Sequence, residues 1–347
     1  DDTSSVSNVE YDSSEITFEK DSLHEDFVRI DAAGHYTYLG TDKESVPLKE
    51  RTAMKVNFDY DFSICRHEIT QGEYSSVLGG SPEKGKENFP IANMTYGDVI
   101  RFANEKSKKE GYDTVYTYSQ MIFDAGGHVS GFENLDFNAE VAGYRLPTEA
   151  EWMMVASADW DPDRSWNSNN SENSLHKVCS KGENALGICD LAGSLAEWVN
   201  DYAGCLKDTA VTNFVGASDG GSVEERVIKG GSFRTNPRNM KLYSRGDVYT
   251  VSTGTFADYV GARLAFGPIP SPVWMSGCGS SESAVKSLVK VGTLKDKLGT
   301  REAKLVFVNR MNGKLSFVKY GENNYYVDEV ADTLTAKHPD ISPDGEW

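Results

Sequence analysis

Gly143-Tyr-Arg-Leu-Pro-Thr-Glu-Ala-Glu-Trp152 is the most specific stretch of the chain. Pro147 breaks the preceding extended run, and Thr148 stands where a helix N-cap belongs. Glu149 and Glu151 complement the positive end of a helix dipole, and Trp152, Val155 and Ala156 share its inner face. Two more helices are predicted before it. Thr70-Gln-Gly-Glu73 has the form of a capping box, and after Thr95 the residues Tyr96, Val99, Ile100 and Ala103 fall on one face. Residues 17–70 alternate apolar and polar positions in ITFEK, FVRIDAAGHYTYLG and MKVNFDYDFSICRHEIT, which predicts strands with turns at Gly34 and Gly40. Residues 111–140 read as Gly-rich, aromatic and irregular, and 157–265 as long loops on a small scaffold, the kind of surface that carries function.

The chain has 347 residues with 35 Lys+Arg and 53 Asp+Glu, a net charge of −18. At 39% hydrophobic and 25% charged it has the composition of a globular chain, long enough for about two domains. The acidic balance argues against a nucleic-acid partner, which needs clustered Lys and Arg, and suits an extracytoplasmic protein that meets divalent cations. No apolar run reaches the roughly 18 residues of a transmembrane helix. The five cysteines (Cys65, Cys179, Cys189, Cys205, Cys278) allow at most two disulfides within the chain and form no Cys-x-x-Cys. Cys179, Cys189 and Cys205 share one irregular region, where spacing leaves three pairings open. The six histidines are scattered, none at i, i+4, and read as surface or internally satisfied polar residues. Residues 1–16, DDTSSVSNVEYDSSEI, read as a solvated acidic tether compatible with a lipid anchor at the N-terminus.

Taken with Gly187-Ile-Cys-Asp-Leu-Ala-Gly-Ser-Leu-Ala-Glu-Trp-Val199, Val227-Ile-Lys-Gly-Gly-Ser-Phe233 and Gly261-Ala-Arg-Leu-Ala-Phe266, the opening stretch gives the chain a resemblance to the formylglycine-generating enzyme (sulfatase-modifying factor) family. FSICRHEITQGEY is similar to that family's F-x-I-x-K-x-E-V-T-x-x-x-Y, and Phe89-Pro-Ile-Ala-Asn-Met-Thr-Tyr96 fits as well. The resemblance covers residues 25–268. It implies an α+β, C-type-lectin-like fold with much irregular structure and bound calcium.

The family converts a substrate cysteine to formylglycine with two cysteines that hold Cu(I), in the motif G-G-S-[FY]-x-C-x-x-x-x-C. Aligned on Gly230-Gly-Ser-Phe233, those positions are Thr235 and Met240. A hydroxyl is a hard ligand and a lone thioether does not replace two thiolates, so no catalytic residue is assigned. The resemblance places a Ca2+ on Asp190, Gly193, Leu195 and Glu197. It places a groove for a partner at Arg234, Thr235, Asn236, Arg238, Tyr243 and Arg245, with Trp166 nearby.

The expected organisation is a tether (1–16), a family-like domain (17–268), a Pro/Gly/Ser-rich linker (269–303) and a tail (304–347). The tail's LVFVN, LSFVKY and YYVDEV are strand candidates, and HPDISPDGEW is similar to the blade turn of TolB-like β-propellers. The expected function is a non-catalytic, calcium-stabilised binding or scaffold module at the outer membrane or cell surface, recognising a protein or glycan. The alternative is the family's cysteine-oxidising activity.

Overall fold

A computed structural model describes residues 16–218, 224–246, 251–275, 303–308, 315–320 and 325–329. The chain divides into two units, Asp1–Lys286 and Ser287–Trp347. The first opens with β1 (Phe18–Lys20), β2 (Phe27–Ile30), β3 (Tyr36–Leu39), β4 (Met54–Asn57) and β5 (Phe62–Cys65). Helices α1 (Gln71–Leu78) and α2 (Tyr96–Glu110) follow, then four short strands, β6 (Tyr116–Thr117), β7 (Gln120–Phe123), β8 (Val129–Glu133) and β9 (Asp136–Phe137). After β10 (Tyr144–Arg145) and α3 (Glu149–Ser157) come β11 (Ala196–Tyr202), β12 (Ala210–Thr212), β13 (Phe214–Ala217), β14 (Arg226–Lys229), β15 (Val260–Ala262), β16 (Ala265–Phe266) and β17 (Val273–Met275).

One sheet has the order β1-β2-β5-β16-β10, all antiparallel, so the last segments of the unit close onto its first. A second runs β14-β11-β13-β17, with β15 parallel on β11. A third joins β12, β4 and β3. The second unit is described by an antiparallel meander of β18 (Ala303–Val308), β19 (Leu315–Tyr320) and β20 (Tyr325–Glu329), at the three strand candidates of the tail.

Local chemistry sets the helix starts. Thr70, Thr95 and Thr148 each accept a hydrogen bond from the N3 backbone N–H, and Glu73, Asp98 and Glu151 each return one, so all three helices carry capping boxes. Such caps are worth about 1 kcal/mol each. On α2 the expected face of Tyr96, Val99, Ile100 and Ala103 is buried. Gly34 and Gly40 take positive φ, +88° and +72°, at the predicted turns.

Three expectations change. Residues 111–140 are not irregular: β6 pairs β9 and β7 pairs β8, the chain turning back on itself twice. Residues 269–275 are not linker. Ile269 is fully buried and donates its N–H to the Ala139 carbonyl, and β17 lies parallel to β13. The prolines of this stretch suggested a spacer, yet the Pro270 carbonyl accepts from Asn213 Nδ2 and helps fix it in place. Ile16, at the end of the expected tether, packs on the core. Residues 1–15, 276–302 and His338–Trp347 lie outside the described residues.

Every residue from Gly143 to Ala156 is buried, including two glutamates. Glu151 takes both guanidinium nitrogens of Arg145 at 2.6 Å, and Glu149 takes Arg245 Nε at 2.8 Å. Lys229, also buried, lies 3.5 Å from Glu149 and donates to the carbonyls of Leu242 and Ser244. Asp201 accepts the Glu149 N–H through Oδ2. Burial first, and then the charge of Glu149, push its carboxyl up to about 8.

The folded pKa of Asp201 lies above its unfolded value, so the folded chain holds the extra proton. The stability this proton confers is complete below about pH 4 and is lost as pH rises toward 8, at a limiting slope of about 1.4 kcal/mol per pH unit. Asp201→Asn keeps an acceptor for Glu149 and removes the ionisation. Urea unfolding at pH 5, 6, 7 and 8 is expected to show a shallower decline in the variant than in the parent.

Candidate metal centre and surface cleft

The loop before β11 is tied at both ends. Cys179 and Cys189 form a disulfide, which selects one of the three open pairings. Asp190, Gly193 and Ser194 adopt positive φ of 58°, 73° and 54°. A Cβ on Gly193 would sit 2.1 Å from the Trp166 carbonyl oxygen, so only glycine fits there. Asp190 Oδ2 accepts the Cys179 N–H at 2.6 Å, which fastens the carboxylate to the disulfide.

The four residues of the expected calcium site are close in sequence but not equivalent in the fold. Glu197, on β11, is fully buried. Its Oε1 accepts from Arg263 Nη2 at 2.6 Å, and its Oε2 from Arg263 Nε at 2.7 Å and Trp152 Nε1 at 2.8 Å. The Leu195 N–H and the Ser194 hydroxyl both donate to Glu68, at 2.8 and 2.9 Å. Glu68 is thus a member of this cluster that the sequence reading did not single out, although it is the glutamate of the HEIT motif. Burial pushes the Glu68 carboxyl well above the usual carboxylate range, and the charges of Asp190 and Glu197 push the same way. Burial, with Glu197, also raises Asp190.

Three carboxylates therefore gather against one guanidinium, that of Arg263. Each carboxylate oxygen carries two lone pairs, so the hydrogen bonds above leave acceptor capacity. A small cavity of about 60 Å3 reaches Asp190 from the side of Arg164 and Lys181. The cavity wall includes Asp190 but neither Glu68 nor Glu197, which stay buried behind it.

The groove residues separate into two groups. Arg245 is 1% exposed and spent on Glu149, on the carbonyls of Lys49 and Gly204 and on Glu50, so it belongs to the core. The others stay near the surface. Arg234 pairs with Asp258 through two bonds of 2.7 and 2.5 Å, and Asn236 caps the 3-10 turn Pro237–Asn239. Thr235 and Met240 meet beside Gly231: a Cβ there would lie 2.9 Å from Met240 Cγ and 3.4 Å from Thr235 Cβ. The Thr235 hydroxyl accepts the Ser232 N–H, and Met240 is 4% exposed. Arg238, Met240 and Tyr243 line one wall of a cleft of about 680 Å3, whose other wall includes Asp159, Trp160 and Pro162. Trp166 lies elsewhere, stacked on His176 at 3.5 Å between ring centroids with Lys181 over its ring.

Short helices, small sheets and long fixed loops around a buried acid cluster define an α+β domain of the class the sequence suggested. Residues 14–267 match the family described as the sulfatase-modifying factor enzyme 1-like domain, and the chain belongs to that family. It is 30% identical over 173 residues to "Chaperone protein LppX" of Paenibacillus barcinonensis, a match covering 40% of this chain and 61% of that protein. Treponema denticola variable protein 1 shares the fold, with a TM-score of 0.57 at 24% identity over 70% of this chain and 95% of that one. PvdO from Pseudomonas aeruginosa superposes with a TM-score of 0.49 at 19% identity, covering 73% of this chain and 99% of that one.

Glu197→Gln leaves Arg263 buried without its full counter-charge and is expected to cost about 3–5 kcal/mol in denaturant unfolding. Arg238→Ala, on the exposed wall of the cleft, is expected to stay within about 0.5 kcal/mol of the parent.

Proposed function

We propose that the domain is a non-catalytic, calcium-stabilised binding or scaffold module of a bacterial cell-surface protein. The observation that carries this reading is the corner at Gly231. Where the family motif has two cysteines, a hydroxyl occupied by its own turn and a buried thioether stand together. Neither is a thiolate, and Cu(I) needs soft anionic ligands to be held and to activate oxygen. Cys179, Cys189 and Cys205 are disulfide-bonded and have no thiolate to offer.

In this reading Ca2+ is held by the Asp190 and Glu197 carboxylates with the main-chain oxygens of Gly193 and Leu195, and Glu68 adds negative charge beside them. The ion supplies no chemistry. It offsets the mutual repulsion of the buried acids and stiffens the loop that leads into β11. The cleft beside Arg238 and Tyr243 is the recognition surface, with Trp160, Arg and Asp side chains suited to a protein or glycan. The relative named as a chaperone protein favours a protein. The long acidic N-terminal stretch fits a lipid-anchored, extracytoplasmic location, and the tail meander fits the first blade of a propeller. The cysteine-oxidising alternative needs a thiolate pair at Thr235 and Met240.

A calcium-selective chelator is expected to lower the melting temperature by several degrees, because an ion bound at 100 times its Kd contributes about 2.7 kcal/mol. A melt unchanged by chelator and by added calcium would remove the calcium assignment. Incubation with copper, oxygen and a Cys-x-Pro-x-Arg peptide is expected to yield no aldehyde by mass spectrometry, and turnover would restore the enzymatic alternative.

A further inference from the structure

Cys65 is the free cysteine among the described residues. It ends β5 and is 4% exposed. Two residues on, His67 is 8% exposed, with Nδ1 3.9 Å from the Cys65 sulfur. The same Nδ1 lies 3.9 Å from Oε2 of Glu73, at the third position of α1. One donor atom from each of the three residues falls within 4.8 Å of the other two. A tetrahedral ion with a metal–sulfur bond of about 2.3 Å and metal–nitrogen and metal–oxygen bonds of about 2.0–2.1 Å sets its ligands roughly 3.3–3.6 Å apart. Closing the observed triangle onto such an ion takes shifts of a few tenths of an ångström to about one ångström.

We propose that Cys65, His67 and Glu73 form a zinc site that clamps the end of β5 to the first turn of α1, its fourth position left to water. The donor set is one soft sulfur, one imidazole and one carboxylate, a mixture that suits Zn2+ and not the hard Ca2+ of the neighbouring acid cluster. Asp26 Oδ2 lies 3.8 Å from His67 Nε2, where an outer carboxylate orients a metal-bound imidazole. Binding has a cost. Nδ1 now donates to the Glu68 carbonyl at 2.8 Å, so zinc displaces that proton as well as the thiol proton. Glu73 is held nearby because Oε2 accepts both the Thr70 N–H and the Thr70 hydroxyl, so zinc takes the place of the hydroxyl bond while the N–H bond of the cap remains.

The test uses the untagged full chain, stripped of metal and kept in excess calcium so that the acid cluster does not compete. Zinc uptake is expected at one per chain, and cobalt(II) in its place is expected to show a thiolate-to-metal charge-transfer band. Cys65→Ser is expected to abolish the band, and His67→Gln and Asp26→Asn to weaken zinc by at least tenfold. Glu73→Gln is the control for folding: glutamine still completes the capping box, so the melt of the metal-free protein should hold while zinc affinity falls at least tenfold. Failure of the parent to retain zinc, or retention of the cobalt band in Cys65→Ser, would overturn the proposal. Should Cys65→Ser not fold, unchanged zinc affinity in Glu73→Gln together with His67→Gln would overturn it instead.

Discussion

Three buried arginine–glutamate pairs hold this domain together, and two of the three glutamates lie in the first turn of one short helix. Arg145 meets Glu151, Arg245 meets Glu149, and Arg263 meets Glu197, whose second oxygen also takes the indole N–H of Trp152. Removing such ions from water costs several kcal/mol each, which only near-complete hydrogen bonding returns. That bonding is present: Arg145 also reaches the Gly267 carbonyl, and Arg263 those of Cys65, Arg66 and Cys189. Two of the pairs, Arg245–Glu149 and Arg263–Glu197, join residues 96 and 66 positions apart, so each ties a distant loop to the frame. In a fold with small sheets, these links do much of what broad sheet layers do elsewhere.

What could be read in the sequence was local. The capping boxes at Thr70, Thr95 and Thr148 depend on residues three apart and appear where expected. The roles of Glu149 and Glu151 were only half legible. An acid in a first helical turn has a sufficient local explanation in the dipole, and nothing nearby announces an arginine 96 positions away. Arg245 misled for the same reason: beside a groove motif it looked like an anchor, while its guanidinium turns inward. The short strands between 111 and 140 escaped notice because pairs of two to five residues leave no periodic signal. Glu68 escaped because its importance comes from Leu195 and Ser194, more than 120 residues on.

In the proposed reading, the Gly231 corner is where the frame and the family's chemistry part. The positions where the family motif carries sulfur hold side chains that satisfy themselves internally. Folds of this kind present loops on a rigid base, so recognition can persist where reactivity does not. The cleft beside Trp160 and Tyr243 lies on that base, next to the corner.

Strand β17 bears on where the domain can be cut. The family match stops at residue 267, yet eight residues further on Met275 is 2% exposed and its carbonyl still receives the Ser218 N–H. A fragment trimmed at the family limit would strip β13 of its outer neighbour and leave the backbone groups at Phe214 and Ala217 without the partners that β17 supplies. Such an open edge invites self-association in the test tube that has nothing to do with biology.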